Sequence, residues 1–121
     1  TIFNNAAGST PAIVFSAGAD GGSITNIVAT STDTSAIILV LTMDDGVSTV
    51  QLGEVNVPIG AGTNGSTPAV NVRDLDQLKG LFQNDGSILI GAGCSLRINV
   101  KTAVTAAKEV HVYTAGGSYS A

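Results

Sequence analysis

The sequence contains no tryptophan, one cysteine and one histidine, and only 12% of its 121 residues are charged. A single cysteine, Cys94, cannot form an internal disulfide, so the chain lacks the cross-links of a small secreted domain and suits synthesis in a reducing cytoplasm. A single histidine, His111, excludes a metal site built from several imidazoles. Five Lys and Arg against nine Asp and Glu give a net charge of −4, which disfavours nucleic acid as a partner.

Long hydrophobic runs are also missing. The longest, Ala36–Leu41, is far shorter than the roughly 20 apolar residues that cross a bilayer. No basic segment precedes an apolar one at the start of the sequence. We therefore expect neither a membrane span nor a signal peptide. Hydrophobic residues still make up 44% of the sequence, and a chain of this length can bury a sizeable core, so we expect it to fold.

β-Branched residues dominate what is present, since Val, Ile and Thr together occupy 36 positions. Such side chains favour strands over helices. Short apolar segments recur about every ten residues, with glycine, aspartate and asparagine between them. This pattern predicts an all-β fold of eight or nine strands in a two-sheet β-sandwich, with the jelly roll as the first choice and a small barrel as an alternative.

Local signals place the main elements. The Asp44–Gly46 segment predicts a hairpin turn between two apolar strands, and a change of alternating face at Gly53–Glu54 predicts a β-bulge. Helical spacing in Arg73–Phe82 predicts one short helical turn. Residues 1–11 are small and mostly polar, so we expect an N-terminal arm, followed by a single sandwich domain over residues 12–121 whose last residues, 115–121, are frayed.

No group of residues predicts catalysis. Gly60–Gly65 matches a dinucleotide-binding glycine pattern, but Pro68 follows it where a helix would have to begin, so we interpret the segment as a surface loop. Cys94 shares the alternation of a buried strand face, whereas His111 points outward. The Asp44–Asp45 pair is typical of a turn. We therefore expect no enzyme activity, no cofactor and no metal ligand.

Four segments, in order and spacing, resemble a group of small virion proteins of tailed bacteriophages. An I-x-x-I-x-A-T-S-x-D-T strand and turn occupies Ile24–Thr34, and a V-P-I-x-x-G element occupies Val57–Gly62. A strand with the spacing G-x-x-L-x-I-x-V lies in Ile90–Val100, and a closing V-x-V-x-x-x-G-G-x-Y segment lies in Val110–Tyr119. The resemblance covers about residues 22–119, and its motifs are strand and turn positions that carry no catalytic residues.

The resemblance implies a capsid cement or decoration protein, a trimer that binds the outer surface of the assembled head and clamps neighbouring major capsid proteins. Such a protein is made in the cytoplasm of the host bacterium and resides on the capsid exterior. A tail or fibre accessory protein is the alternative within this class. A carbohydrate-binding β-sandwich is the alternative outside it, with Tyr113 and Tyr119 as the only tyrosines able to serve as aromatic platforms.

Contact residues are expected near the beginning of the chain. Uncharged apolar side chains close to a chain terminus can add a strand or an anchor to a neighbouring protein. The candidates for contact with another subunit or with the major capsid protein are Ile2, Phe3, Ile13 and Phe15.

Overall fold

A computed structural model describes residues 1–119. It contains nine strands and two short 3-10 turns. The strands are β1 (Ile2–Asn4), β2 (Ala12–Ser16), β3 (Gly22–Ser31), β4 (Ile37–Asp44), β5 (Thr49–Val57), β6 (Val70–Asn71), β7 (Ile88–Ile90), β8 (Ser95–Val100) and β9 (Glu109–Ser118). They form a five-stranded and a four-stranded antiparallel sheet. The predicted all-β sandwich is confirmed.

The strand pairs are nested along the chain. In the first sheet, here sheet A, the order is β1-β9-β3-β6. The strand β7 pairs with the same edge of β3 as β6, but with residues 22–24 of β3 where β6 pairs with residues 28 and 29. In the second sheet, sheet B, the order is β2-β8-β4-β5. The first strand thus pairs with the ninth, the second with the eighth and the fourth with the fifth, so nearly every pairing except the β4–β5 hairpin joins distant parts of the sequence.

The core lies between the two sheets and is almost wholly aliphatic. Alternate residues of the long strands point into it, as the two-residue period of a strand requires. Its fully buried large side chains are Phe3, Ile24, Ile27, Leu39, Leu41, Val55, Val57, Val72, Leu78, Leu96, Ile98 and Val100. Burial of this apolar surface is the main favourable term in folding.

The β4–β5 hairpin follows the prediction closely. Gly46 has a φ of 91°, which only glycine adopts readily, and it lies in the predicted turn. Asp44 and Asp45 accept hydrogen bonds from backbone N–H groups of that turn. The bulge falls at Leu52, where Leu41 pairs with Gly53 and the next residue of β4 pairs with Gln51. The predicted change of face therefore occurs one residue before Gly53–Glu54.

The predicted helical turn is present only as two separate 3-10 turns, Val72–Asp74 and Lys79–Leu81. Gly80 lowers the helical tendency of this segment, and tertiary packing decides its path. Leu78 is fully buried, and its Cδ2 lies only 2.5 Å from the point where a Cβ on Gly53 would be. The segment therefore crosses from sheet A to β5 and covers that side of the sandwich.

Two expectations about the chain ends need correction. Residues 2–4 of the expected arm form β1, because Phe3 inserts its ring into the core and Ile2–Asn4 pairs with Glu109–His111 of β9. At the other end, β9 continues to Ser118 instead of fraying from residue 115, because residues 110–118 of β9 pair with β3. Residues 5–11 contain turns but no strand, and residues 120 and 121 lie outside the described part.

Gly116 marks the closest approach of β9 and β3. It pairs with Ile24 beside a bulge at Thr25. A Cβ built on Gly116 would lie 2.9 Å from the Cα of Ile24 and nearer still to the carbonyl oxygen of Ser23. Both obstacles are backbone atoms, which cannot move aside as a flexible side chain could. Glycine is therefore required here for steric reasons.

We expect Gly116→Ala to lower the free energy of unfolding by about 2–3 kcal/mol, because the two strands must separate to admit the methyl group. Gly117→Ala is the matched control, since a Cβ there meets nothing within 4 Å, and its effect should stay within about 0.5 kcal/mol. Urea denaturation of both variants measures the difference. Equal effects would contradict the assignment of this close approach.

Asp33 ties two loops together at one end of the sandwich. Its side chain is only 1% exposed. The carboxylate accepts hydrogen bonds of 2.8 Å each from the Ser35 N–H, the Thr105 N–H and the Thr105 hydroxyl. Burial alone would raise the pKa of Asp33, but these hydrogen bonds outweigh it and hold the pKa below its ordinary value of 3.8. The turn after β3 is thereby joined to the loop before β9.

Asp33→Ala should cost about 3 kcal/mol of folding free energy, because it leaves two loop N–H groups and a hydroxyl without their charged acceptor. Asp20→Ala, at an exposed turn position, serves as the control and should change stability by less than about 0.5 kcal/mol. Chemical denaturation at neutral pH tests both. A loss no larger for Asp33 than for Asp20 would show that the carboxylate does not hold the loops.

Asp33 also predicts a specific pH dependence. Because its folded pKa is depressed, the carboxylate stabilises the fold above the unfolded value of about 3.8, and this contribution disappears as the pH falls through the lower folded value. The wild type should therefore exceed Asp33→Asn in stability at neutral pH, and the gap should shrink below pH 3.8. Unfolding free energies of both proteins across this range provide the test. A gap that is constant or widens in acid would contradict it.

Candidate functional site

The four expected contact residues occupy different environments. Ile2 on β1 and Ile13 on β2 are 53% and 55% exposed, so both are available to a partner. Phe15 is half-buried, with its ring against Gly22 of the other sheet. Phe3 is 1% exposed, so the expectation that it contacts a partner must be corrected: it is a core residue of this chain. The structure does not bring the four together into one patch.

β2 forms an edge of sheet B. Within the described chain it pairs with β8 alone, so the backbone groups on its other side have no strand partner there. A bulge at Val14 interrupts the pairing between Ile13 and Phe15. The opposite edge strand, β5, is covered in part by the Val72–Leu81 segment, where Gln77 donates to the Glu54 carbonyl at 3.4 Å. The two edges of sheet B are therefore protected to different extents.

The outer face of sheet A is nearly uncharged. Strand alternation and register place these residues on it: Ile2, Asn4, Ser23, Asn26, Val28, Thr30, Asn71, Leu89, Glu109, His111, Tyr113, Ala115 and Gly117. Among them, only Glu109 carries a formal charge at neutral pH, with His111 counted as neutral. The His111 Nε2 lies 3.6 Å from the Glu109 Oε1.

Residues of β1 and β9 contribute to the lining of two depressions. One, of about 420 Å³, is lined by Asn4, Asn5, Ala6, Ala106, Ala107, Lys108 and Glu109. The other, of about 270 Å³, is lined by Thr1, Ile2, Val28, Thr30, His111, Val112 and Tyr113. Glu109 lines the first depression and His111 the second, and their side chains contact each other. We call the two depressions together the β1–β9 groove.

The β1–β9 groove depends on long-range strand pairing. Asn4 lies opposite Glu109, Ile2 opposite His111, and His111 opposite Thr30 on the third strand. Val28 lies directly opposite Tyr113, whose ring is 66% exposed. The sequence places His111 and Tyr113 on an outward face by alternation with buried valines. It contains no local signal for Asn4, Thr30 or Glu109, because their place in the groove follows from pairing of the first strand with the last.

The outer face of sheet B has a different chemistry. Arg97 Nη2 and Asp44 Oδ2 form an ion pair of 3.0 Å between β8 and β4, and Lys101 Nζ lies 3.1 Å from Glu54 Oε2. Asp44 thus serves both the hairpin turn and an ion pair, as expected of a structural residue. Partly exposed pairs of this kind contribute little to stability. They do give sheet B a hydrated, charged surface in contrast to sheet A.

The other segments considered as functional candidates from the sequence, Gly60–Gly65 and Cys94, occupy positions that are explained by the fold. Gly60–Gly65 lies in a loop, where the Ala61 carbonyl accepts from the Ser31 N–H at 2.9 Å, and no helix follows it. Cys94 is half-buried and packs at the margin of the core just before β8. Within residues 1–119, no three His, Cys, Asp or Glu side chains lie close enough together to hold a metal ion. No helix in that range is long and apolar enough to span a bilayer.

Comparison with known proteins provides no relative. No protein-family model, no curated protein and no solved structure matches this chain.

Proposed function

We propose that this chain is a capsid decoration protein of a tailed bacteriophage, which binds the outside of the assembled head and stabilises contacts between major capsid proteins. The sequence resemblance given above suggests this class. The single structural observation that supports it best is the free edge of β2 with its exposed Ile13. A shell protein can bind such an edge by adding a strand to sheet B.

The free edge favours attachment for a physical reason. An uncovered strand edge presents unpaired N–H and C=O groups and promotes association with other strands. No charged side chain of β2 itself blocks its edge, since the strand reads Ala-Ile-Val-Phe-Ser. The opposite edge of the same sheet is covered by the chain's own Val72–Leu81 segment. In the described part of the chain, sheet B therefore has one uncovered edge, and that edge suits a protein whose sheet is extended by a strand of a neighbouring protein.

We also propose that the sandwich is a jelly roll. In that fold a long antiparallel hairpin wraps into two sheets. The first strand therefore pairs with the last, the second with the second-to-last, and so on towards the middle of the chain. The observed pairs of the first strand with the ninth, the second with the eighth, the third with the sixth and seventh, and the fourth with the fifth have this nested order. A jelly roll has eight strands. This chain has nine because two short strands, β6 and β7, share the place beside β3 that one strand would occupy.

A homotrimer on the shell is part of the same proposal. Many copies acting together stabilise a capsid even when each buries a modest area, because binding that favours the assembled state shifts the equilibrium by mass action. Closed cyclic symmetry would also cover exposed apolar side chains near the edge. The major capsid protein is the expected partner, and no cofactor is required.

The proposal predicts that the purified chain is a trimer by native mass spectrometry and sediments with undecorated heads. Ile13→Glu should weaken sedimentation with heads at least tenfold, since a charge on an edge strand opposes strand addition. The fold should tolerate this change, because Ile13 lies opposite Arg97 on an outer face.

Ile59→Glu is the matched control, because Ile59 has the same side chain and the same exposed fraction of 55% but lies outside the strands. It should sediment with heads as the wild type does. A chain that ignores undecorated heads, or equal losses in the two variants, would overturn the proposed attachment through β2. A monomer that still binds heads would overturn the trimer alone.

A further inference from the structure

Tyr113 is the most exposed aromatic ring in the described chain, and its surroundings hold it in place. It projects from the outer face of sheet A, where β9 pairs with β3, and it lies two residues beyond His111, the last residue of β9 that pairs with β1. Val28, directly opposite on β3, provides an apolar flank. A tyrosine on a rigid strand presents a flat ring with little loss of conformational entropy on binding. Such a ring is suited to stacking against the C–H face of a sugar.

The rest of the β1–β9 groove supplies hydrogen-bonding groups. The Asn4 Oδ1 accepts from the Ala7 N–H at 3.0 Å, which leaves the Asn4 amide donors directed outside this pair. Glu109 offers carboxylate oxygens, His111 a ring nitrogen, and Thr30 a hydroxyl. These groups flank the ring on one side over four residues of β9, a distance of about 13 Å. Hydroxyl-rich ligands require this mixture of donors and acceptors beside an apolar platform.

Charge narrows the class of ligand. Among the side chains that line the groove, only Lys108 and Glu109 are formally charged, and their charges are opposite. The whole chain has a net charge of −4, which repels polyanions such as nucleic acids or acidic polysaccharides. A purely apolar partner would displace water from the Asn4 amide donors and the Glu109 carboxylate without replacing those hydrogen bonds. A neutral ligand with many hydroxyl groups is not repelled by the negative chain, needs no charged partner in the groove and can hydrogen-bond to its polar groups.

We infer that the β1–β9 groove binds a neutral oligosaccharide, with Tyr113 as the stacking platform and Asn4, Thr30, Glu109 and His111 as hydrogen-bonding partners. This activity is separate from attachment to a shell, because the groove lies on the outer face of sheet A whereas β2 belongs to sheet B. The β1–β9 groove and β2 share no residue. Failure of either proposal leaves the other standing.

The test is a titration of ¹⁵N-labelled full-length chain, followed by NMR, with maltohexaose, cellohexaose and chitohexaose, each up to about 10 mM, a range that detects even millimolar dissociation constants. At least one of the three should shift the backbone amides of β1, of residues 109–113 and of Thr30. Tyr113→Ala should weaken that binding about tenfold or more, the equivalent of one lost stacking contact. Tyr113→Phe keeps the ring and should retain most of the affinity.

Tyr119→Ala is the matched control, because Tyr119 is also a tyrosine, is 51% exposed and follows the same strand. It should bind as the wild type does, and the dispersion of each spectrum verifies the fold. Three outcomes overturn the inference: no shifts with any of the three sugars, shifts confined to sheet B, or equal losses for the two alanine variants. A wild-type oligomer that Tyr113→Ala dissociates would show instead that a second copy covers the groove.

Discussion

The pairing of β3 with β9 is the constraint on which the rest of the molecule depends. Nine residue pairs join these two ten-residue strands across almost the full length of the sequence. β9 then receives β1 on its free side, and β3 receives both β6 and β7 on its own. Every strand of sheet A is therefore placed by this one pairing. The requirement for glycine at position 116 is a direct consequence, since any side chain there would separate the two strands.

The same pairing creates the contrast between the two outer faces. Sheet A has a low-charge face because β9 contributes His111 and Tyr113 there while its valines fill the core. Sheet B has its charges arranged as Arg97–Asp44 and Lys101–Glu54 pairs. Hydrated ion pairs resist burial against a partner unless their hydrogen bonds are replaced. The low-charge face and the free β2 edge thus remain as the surfaces with the smallest desolvation cost for a ligand or a partner.

How far the sequence predicts this structure depends on the range of the interactions. The sequence predicts the local features. The hairpin at Gly46 follows from the turn residues, and the strands that contain Leu96 or Val110 follow from the alternation of apolar and polar side chains. The bulge was placed within one residue, since Val55 and Val57 had to share a face. The strand formed by Ile2–Asn4 could not be read locally, because a three-residue strand is stabilised only by a partner more than 100 residues away. The β1–β9 groove is not predicted by the sequence either, because it too forms only when the first strand pairs with the last.

The separation of the two proposed surfaces has a simple structural origin. A β-sandwich has faces and edges, and in this chain the exposed Ile13 lies on an edge strand of sheet B whereas Tyr113 lies on the outer face of sheet A. Contact through an edge uses backbone hydrogen bonds and constrains side chains little. Contact through a face uses side chains, and Tyr113 is held in place there by the pairing of β9 with β3. Attachment through β2 would therefore use backbone groups of sheet B, whereas ligand binding at Tyr113 would use side chains of sheet A, so the two proposed contacts do not compete for the same atoms.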